Sequence, residues 1–223
     1  MIHEIRNRTT VIGRGLRKAA EQADRLSDKG VVRALELASE SVAALESLAE
    51  RFAPLASRGY RAGRRTAVVE ESIERCCQMQ AKQIRAGRIT VEKPVEGRTP
   101  VRIDPGEIDT VILNLVSNSM YWLQRQEGER LLRFRVAQGP SPDRVTLAVD
   151  DSGSGIAVED RERVFWPGVT SKPDGIGMGL TVASELVDGH GGKMRTILPG
   201  MLEGATFELD LPLAREGRAQ ENP

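Results

Sequence analysis

Cysteine is nearly absent from this 223-residue chain: Cys76 and Cys77 are the only two, and they are neighbours. Adjacent cysteines form neither a disulfide framework nor a C-x-x-C metal half-site. They are expected to fill a helix face as small apolar groups. An excess of charge of either sign is also missing. Lys+Arg and Asp+Glu are balanced at 32 each, so nothing in the charge points to nucleic acid or an anionic membrane as partner. No apolar run approaches the ~18 residues that a membrane span needs. The start, Met1-Ile2-His3-Glu4, has no secretory signal pattern, and the expected compartment is the cytosol. Internal repeats and low-complexity tracts are lacking too. What remains is ordinary for a globular chain, 39% hydrophobic and 29% charged residues, with room for one large domain or two small ones.

The first stretch has heptad spacing. Ile2, Ile5, Thr9, Ile12, Leu16, Ala19, Ala23 and Leu26 alternate three and four residues apart, the a/d seam of a coiled coil. Ser27-Asp28-Lys29-Gly30 breaks it. Leu35, Ala38, Val42, Leu45, Ala49 and Phe52 then repeat the spacing up to Pro54. Two such helices, each roughly 37 Å long at about 1.5 Å per residue, make a poor core alone. A hairpin of this kind pairs with a copy of itself as a four-helix bundle. The expectation is a homodimer through residues 1–57. Residues 58–65, with four arginines and two glycines, read as a linker.

From residue 66 the texture changes to mixed α and β. Short strands are expected at 66–68, 88–92 and 100–103, and longer ones at 131–137, 144–149, 193–198 and 205–211. Helices are expected at 70–85, from Asp104 to about Gln126, and from about Gly177 to Asp188. Asp104-Pro105-Gly106-Glu107 carries a cap aspartate, a first-turn proline and a glutamate three after the cap. Helices gathered on one face of a mixed, mostly antiparallel sheet give an α+β sandwich. The polar tail from residue 214 is expected to be disordered.

Four motifs fall in order within this second region. Asn114-Leu115-Val116-Ser117-Asn118 puts two amides four apart, on one helix face; amide oxygens suit Mg²⁺, a hard cation. Asp151-Ser152-Gly153-Ser154-Gly155 follows an apolar strand end; its carboxylate can accept a hydrogen bond from an exocyclic amine such as adenine's, while the glycines let backbone approach the base. Phe165-Trp166-Pro167-Gly168-Val169-Thr170-Ser171-Lys172 has aromatics fit to anchor a loop and a lysine fit to reach a terminal phosphate. Gly175-Ile176-Gly177-Met178-Gly179-Leu180 opens a helix, where bared N–H groups and the helix dipole favour an anion. It is neither the P-loop nor the Rossmann pattern. Singly, the first three have plain structural explanations, a wet helix face, a turn, and a hydrophobic plug with a surface lysine, and the fourth alone is a weak signal.

Their order and spacing resemble the N, G1, F and G2 boxes of the GHKL (Bergerat-fold) ATPases, over residues 66 to about 212. Val187 to Lys193, Gly204 to Phe207 and Leu211-Pro212 resemble the stretches that follow the last box in the histidine kinases of that superfamily. The resemblance implies that Asn118 holds Mg²⁺ with Asn114 in support, and that Asp151 reads the adenine of ATP. Gly153 and Gly155 would shape that pocket, and Gly175, Gly177, Gly179 and Leu180 would line the phosphates. Many kinases carry Lys or His and then Tyr shortly after the second asparagine; here Tyr121 and Trp122 stand there, and Lys172 is the candidate to substitute.

Only two histidines exist. His190, in a helix-ending Gly189-His190-Gly191-Gly192 turn, is expected to be structural. His3 falls at heptad position b, with Glu4 at c and Asn7 at f, all facing away from the seam. An exposed neutral imidazole is nucleophilic, and an adjacent carboxylate can take up its other proton. His3-Glu4-Ile5-Arg6-Asn7 resembles the kinases' H-box. That resemblance implies His3 as phosphoacceptor, Glu4 as base, and Asn7 as the group positioning water for dephosphorylation of a partner; Arg8 replaces the proline that commonly follows. The expectation is a sensor histidine kinase core, cofactors ATP and Mg²⁺, partnered by the receiver domain of a response regulator. The rivals are a non-kinase GHKL ATPase and a histidine phosphotransfer scaffold without ATPase activity.

Overall fold

The computed structural model describes residues 12, 14–16, 18–19, 21, 31–32, 35, 38–39, 42, 66–94, 97–173 and 175–214. The chain divides into two units, Met1–Ala62 and Gly63–Pro223. In the first, every described residue is helical. Of the expected seam, Leu16, Ala19, Leu35, Ala38 and Val42 are half-buried, and Ile12 is 52% exposed. The break at 27–30, the linker at 58–65 and the polar tail beyond residue 214 lie outside the described residues. So do His3, Glu4 and Asn7.

The second unit opens with strand β1 (Ala67–Val68) and helix α1 (Val69–Met79). Val69, Ile73, Cys76 and Cys77 are buried on one side of α1, so the cysteines do fill a helix face. Burial pushes the Cys76 thiol up to about 12, which leaves it an unreactive core group. The expected single helix over 70–85 is interrupted at Gln80 (φ −97°, ψ 5°), and α2 (Ala81–Ala86) follows. After β2 (Thr90–Glu92) and β3 (Pro100–Val101) comes α3 (Pro105–Leu123). Its cap is as expected: Asp104 is extended, its side chain accepts from the Gly106 N–H at 2.9 Å, and Pro105 fills the first turn. Arg75 donates to both carboxylate oxygens of Asp109, at 3.0 and 2.9 Å, and pins α1 to α3. The remaining elements are β4 (Leu131–Gln138), β5 (Arg144–Asp151), α4 (Gly179–Gly189), β6 (Lys193–Ile197) and β7 (Thr206–Pro212).

β2, β4, β5, β7 and β6 form a five-stranded sheet in that order; β2 runs parallel to β4 and every other pair is antiparallel. The two-residue period of a strand assigns its faces. Phe134, Leu147, Val149, Phe207 and Leu209 are buried on the side where α3 and α4 pack against each other and the sheet. The opposite face is covered by ion pairs, Arg133–Glu92, Arg135–Asp150 and Arg195–Glu208. Beneath them even Ala148 is 2% exposed. A second, two-stranded sheet joins β1 to β3, and Val101 of β3 bridges Leu213. Among the described residues no helix is long and apolar enough to cross a membrane.

Candidate functional site

Strand β5 ends in two consecutive aspartates, and the strand period sends them to opposite faces. Asp150 continues the ion-paired face. Its carboxylate takes Arg135 Nε at 2.6 Å and Nη2 at 3.0 Å, and accepts from Thr206 Oγ1 at 2.8 Å. Asp151 continues the row of Val145, Leu147 and Val149 and so points to the helices; it is 1% exposed. Three donors hold it: Ser119 Oγ of α3 at 2.6 Å, and the backbone N–H groups of Gly153 and Ala205 at 3.0 and 3.1 Å. Burial holds its carboxyl above the usual carboxylate range, and the three hydrogen bonds oppose that shift. A buried acceptor of this kind suits a ligand N–H that arrives without water.

The loop around it is compact because it must be. A Cβ on Gly204 would lie 2.1 Å from the Asp151 carbonyl oxygen, and one on Gly153 would lie 2.8 Å from Asp151 Oδ1 and 3.2 Å from Trp122 Cβ. Gly155 lies against the Glu203 and Gly204 carbonyls. Of the two glycines expected to let backbone approach a flat ligand, Gly153 thus stands where a side chain would collide, while Gly155 is set by its left-handed backbone, φ +75°.

On α3, Asn114 and Asn118 are one turn apart and half-buried. Asn114 Nδ2 donates to the Thr110 carbonyl at 2.9 Å. That leaves its Oδ1 directed to the start of α4, where a Cβ on Gly179 would meet it at 2.8 Å. Asn114 and the last glycine-rich turn thus face each other. Helix α4 begins at Gly179, two residues later than expected, with Leu180 half-buried in its first turn. Thr181 Oγ1, in the same turn, is buried and has no hydrogen-bond partner in the structure.

Between the aspartate loop and this turn lies the loop that carries Phe165 and Lys172. Phe165 anchors it, packing edge-on against Phe207 with centroids 6.2 Å apart. Gly168 N–H donates to the Gly177 carbonyl at 3.1 Å and closes the base of the loop. Gly177 has φ +69°, and a Cβ there would lie 2.4 Å from Gly168 C, so only glycine fits both the conformation and the space. Gly175 N–H donates to the Lys172 carbonyl at 3.0 Å. The Lys172 ammonium lies 4.6 Å from the centre of the Tyr121 ring.

The structure therefore brings Asn114, Asn118, Asp151, Gly153, Gly155, Lys172, Gly175, Gly177, Gly179 and Leu180 into one region between α3, the end of β5 and the start of α4. Sequence reasoning missed Ser119, Gly204 and Ala205, which hold or crowd Asp151. Ser119 adjoins Asn118, and the Gly204-Ala205-Thr206-Phe207 stretch resembles the kinases' last strand; neither carries a local sign of its tie to Asp151. His190, expected to be structural, pairs through Nε2 with the Glu107 carboxylate and joins the end of α4 to the first turn of α3.

The family model described as "Histidine kinase-, DNA gyrase B-, and HSP90-like ATPase" matches residues 103–215. The sensor histidine kinase ZraS of Salmonella typhimurium is 35% identical over 114 residues, 51% of this chain and 23% of that protein. The sensory histidine kinase/phosphatase NtrB of Proteus hauseri is 28% identical over 222 residues, covering 96% of this chain and 61% of that protein. Among solved structures, the mycobacterial sensor histidine kinase MprB superposes with a TM-score of 0.57 at 25% identity, over 68% of this chain and 98% of that one. The chain thus spans less than two thirds of the length of these curated relatives.

Proposed function

The chain belongs to the histidine kinase-, DNA gyrase B- and HSP90-like ATPase family, and from that premise we propose that it is the core of a two-component sensor kinase that autophosphorylates on His3. The observation that carries the nucleotide half is Asp151: a buried carboxylate at a strand end, ringed by glycines and held by Ser119, Gly153 and Ala205. Its remaining acceptor capacity suits the exocyclic amine of adenine. The amide oxygens of Asn118 and Asn114 are ligands that suit a hard cation, and that of Asn114 faces Gly179 at the start of α4. The buried, unpartnered Thr181 hydroxyl in that turn fits a polar ligand there. Mg²⁺, when bound with ATP, would neutralise charge on the phosphates.

In the proposed reaction an imidazole nitrogen of His3 attacks the γ-phosphorus, the bond to ADP breaks, and Glu4 takes up the proton of the other ring nitrogen. The phosphoryl group then passes to an aspartate of a response-regulator receiver domain. The name kinase/phosphatase carried by the NtrB relatives supports a reverse activity in which Asn7 orients a water. In this reading residues 1–57 form the dimerising hairpin, residues 58–65 the linker and residues 66–213 the catalytic domain.

Incubation with γ-labelled ATP tests the proposal. Acid-labile label should stay on the protein, vanish in His3→Gln and persist in a His190 variant, while His3→Gln still binds ATP. Label retained in His3→Gln would remove His3 from the mechanism. ATP hydrolysis without any labelled protein would make the chain a non-kinase ATPase of the same family.

A further inference from the structure

Two hydroxyls on α3 spend their protons differently. Thr110 Oγ1 donates to the Gly106 carbonyl, one turn back, at 2.8 Å, the local bond that a serine or threonine inside a helix commonly makes. Ser119 makes no such bond among the described residues. It is fully buried, and its Oγ donates to Asp151 Oδ2 at 2.6 Å, across 32 residues of sequence. Asp151 Oδ1 takes both backbone donors, the Gly153 N–H at 3.0 Å and the Ala205 N–H at 3.1 Å. A carboxylate has about four lone-pair sites, two on each oxygen. Oδ1 is thereby filled, and the site that stays open is on Oδ2, the oxygen that Ser119 holds.

We propose that Ser119 is a positioning residue for base recognition: by committing its proton to Oδ2 of Asp151 it makes the pair a surface of acceptors only, which selects a 6-amino purine over a 6-oxo purine. The inference rests on the nucleotide reading above. An ionised carboxylate cannot donate, so the hydroxyl proton is tied to Asp151 and cannot turn to a ligand. A 6-amino group brings a donor to the open site on Oδ2. A 6-oxo group sets lone pairs against lone pairs in a buried place, where an unpaired acceptor is costly. The serine also keeps the carboxyl in its accepting form. Burial favours the neutral acid, and the hydrogen bonds from Ser119, Ala205 and Gly153 oppose it. With Oδ1 filled by N–H groups, a proton would settle on Oδ2 and turn the acceptor into a donor, which suits a 6-oxo group. The charged neighbour that bears on Asp151 is Asp150, which adds to the upward push and is itself paired with Arg135 on the other face of the sheet. β4 sets Leu132 beside Asp151, and β7 and the residue before it contribute Thr206 and Ala205, none of them charged. Glu203, the acid of the preceding turn, is exposed. Removing the Ser119 bond therefore moves the carboxyl further up and admits the donating form at higher pH.

The test is titration of the full chain with ATP and with inosine triphosphate, which carries an oxygen in place of the 6-amino group, for wild type, Ser119→Ala and Ser119→Cys. The titrations run from about pH 5.5 to about pH 8. Ser119→Ala should weaken ATP about fivefold or more and inosine triphosphate less, so that the preference for ATP narrows. The narrowing should grow as pH falls and begin at a higher pH than in wild type. Titration of the phosphates is common to both ligands and cancels in their ratio. Ser119→Cys, with a weak S–H donor of similar size, should fall between wild type and Ser119→Ala. A circular dichroism melt checks the fold of each variant, and where the alanine variant does not fold the ratio in the cysteine variant decides. Equal losses for both ligands with an unshifted pH profile, or no loss for either, would overturn the proposal while leaving the nucleotide site in place. A wild type that binds neither ligand, or binds both alike, would instead overturn the reading of Asp151 and the inference with it.

Discussion

The two ends of the candidate site are built by opposite means. Around Asp151 everything is fixed: a carboxylate at 1% exposure, three hydrogen bonds of 2.6 to 3.1 Å, and glycines at 153 and 204 where a Cβ would collide with the Asp151 side chain or backbone. Around Lys172 and Gly177 the ties are those of turns: Gly168 N–H to the Gly177 carbonyl, Gly175 N–H to the Lys172 carbonyl, a left-handed glycine, and a lysine near an aromatic ring. The first end recognises shape and one donor, so it needs rigidity and a dry acceptor. The second meets a charged, mobile group, so it needs cations and free N–H groups that remain near water. The difference shows how one helix, α3, supports both. Its buried face supplies Ser119 to the aspartate, and its half-buried face supplies Asn114, Asn118 and Tyr121 to the mouth.

The comparison breaks most completely at Asp151. Asp151→Asn should abolish ATP and adenosine binding alike. Its amide would offer a donor to the adenine amine, a mismatch of about 1–3 kcal/mol or more. The fold should survive, since Oδ1 can still accept from Gly153 and Ala205 and the amide can donate to Ser119. Calorimetric titration together with a circular dichroism melt decides it, and retained affinity would remove the adenine contact.

Gly177→Ala should act at the other end alone. The added Cβ meets Gly168 C at 2.4 Å in a φ +69° conformation, strain on the order of 1–3 kcal/mol. ATP should weaken roughly tenfold or more and adenosine much less. Equal losses for both ligands in a nucleotide titration would merge the two ends into one.

Ser119→Ala should cost about 1–3 kcal/mol of stability, because it strips a hydrogen bond from a buried carboxylate; a shifted denaturant midpoint measures it. A midpoint unchanged from wild type would mean that Asp151 does not depend on the serine.

The smallest effect is on pH dependence. Burial raises the Asp151 carboxyl above its ordinary range, so the folded state prefers it protonated and its charge opposes folding at neutral pH. Its contribution to nucleotide-free stability is fully present below the ordinary carboxylate range and lost as pH rises through the raised value. The stability of wild type minus that of Asp151→Asn should therefore increase as pH falls through that window. A flat or opposite difference in denaturation curves would show that the hydrogen bonds outweigh burial.

Much of this was legible where the signal is local. The Asp104 cap, the strand patterns of β4, β5 and β7, and the aspartate at the end of β5 each follow from residues within a few positions of one another. What escaped is non-local. Nothing near Gln80 marks the break between α1 and α2, and nothing in 90–92 announces a strand parallel to β4. The insertion of β7 between β5 and β6 depends on which faces are buried, not on sequence order. Ser119 and Ala205 reach Asp151 across 32 and 54 residues, and a serine or an alanine N–H carries no pattern that reveals such a meeting. Tyr121 and Trp122 depart from the family pattern in sequence, and only the fold shows their edge-on contact and the place of Trp122 beside Gly153.

The short seam between β1, β3 and Leu213 has a consequence for how the domain can be handled by the chain on either side of it. Ala67 pairs with Val101, Val101 bridges Leu213, and the Ala214 N–H donates to the Pro100 carbonyl at 2.8 Å. Residues 66 and 214 therefore leave the domain side by side, on opposite flanks of one strand. A tug between these two points meets this seam first. The domain thus hangs from a single clasp, so both flanking segments of chain enter and leave at one place on its surface.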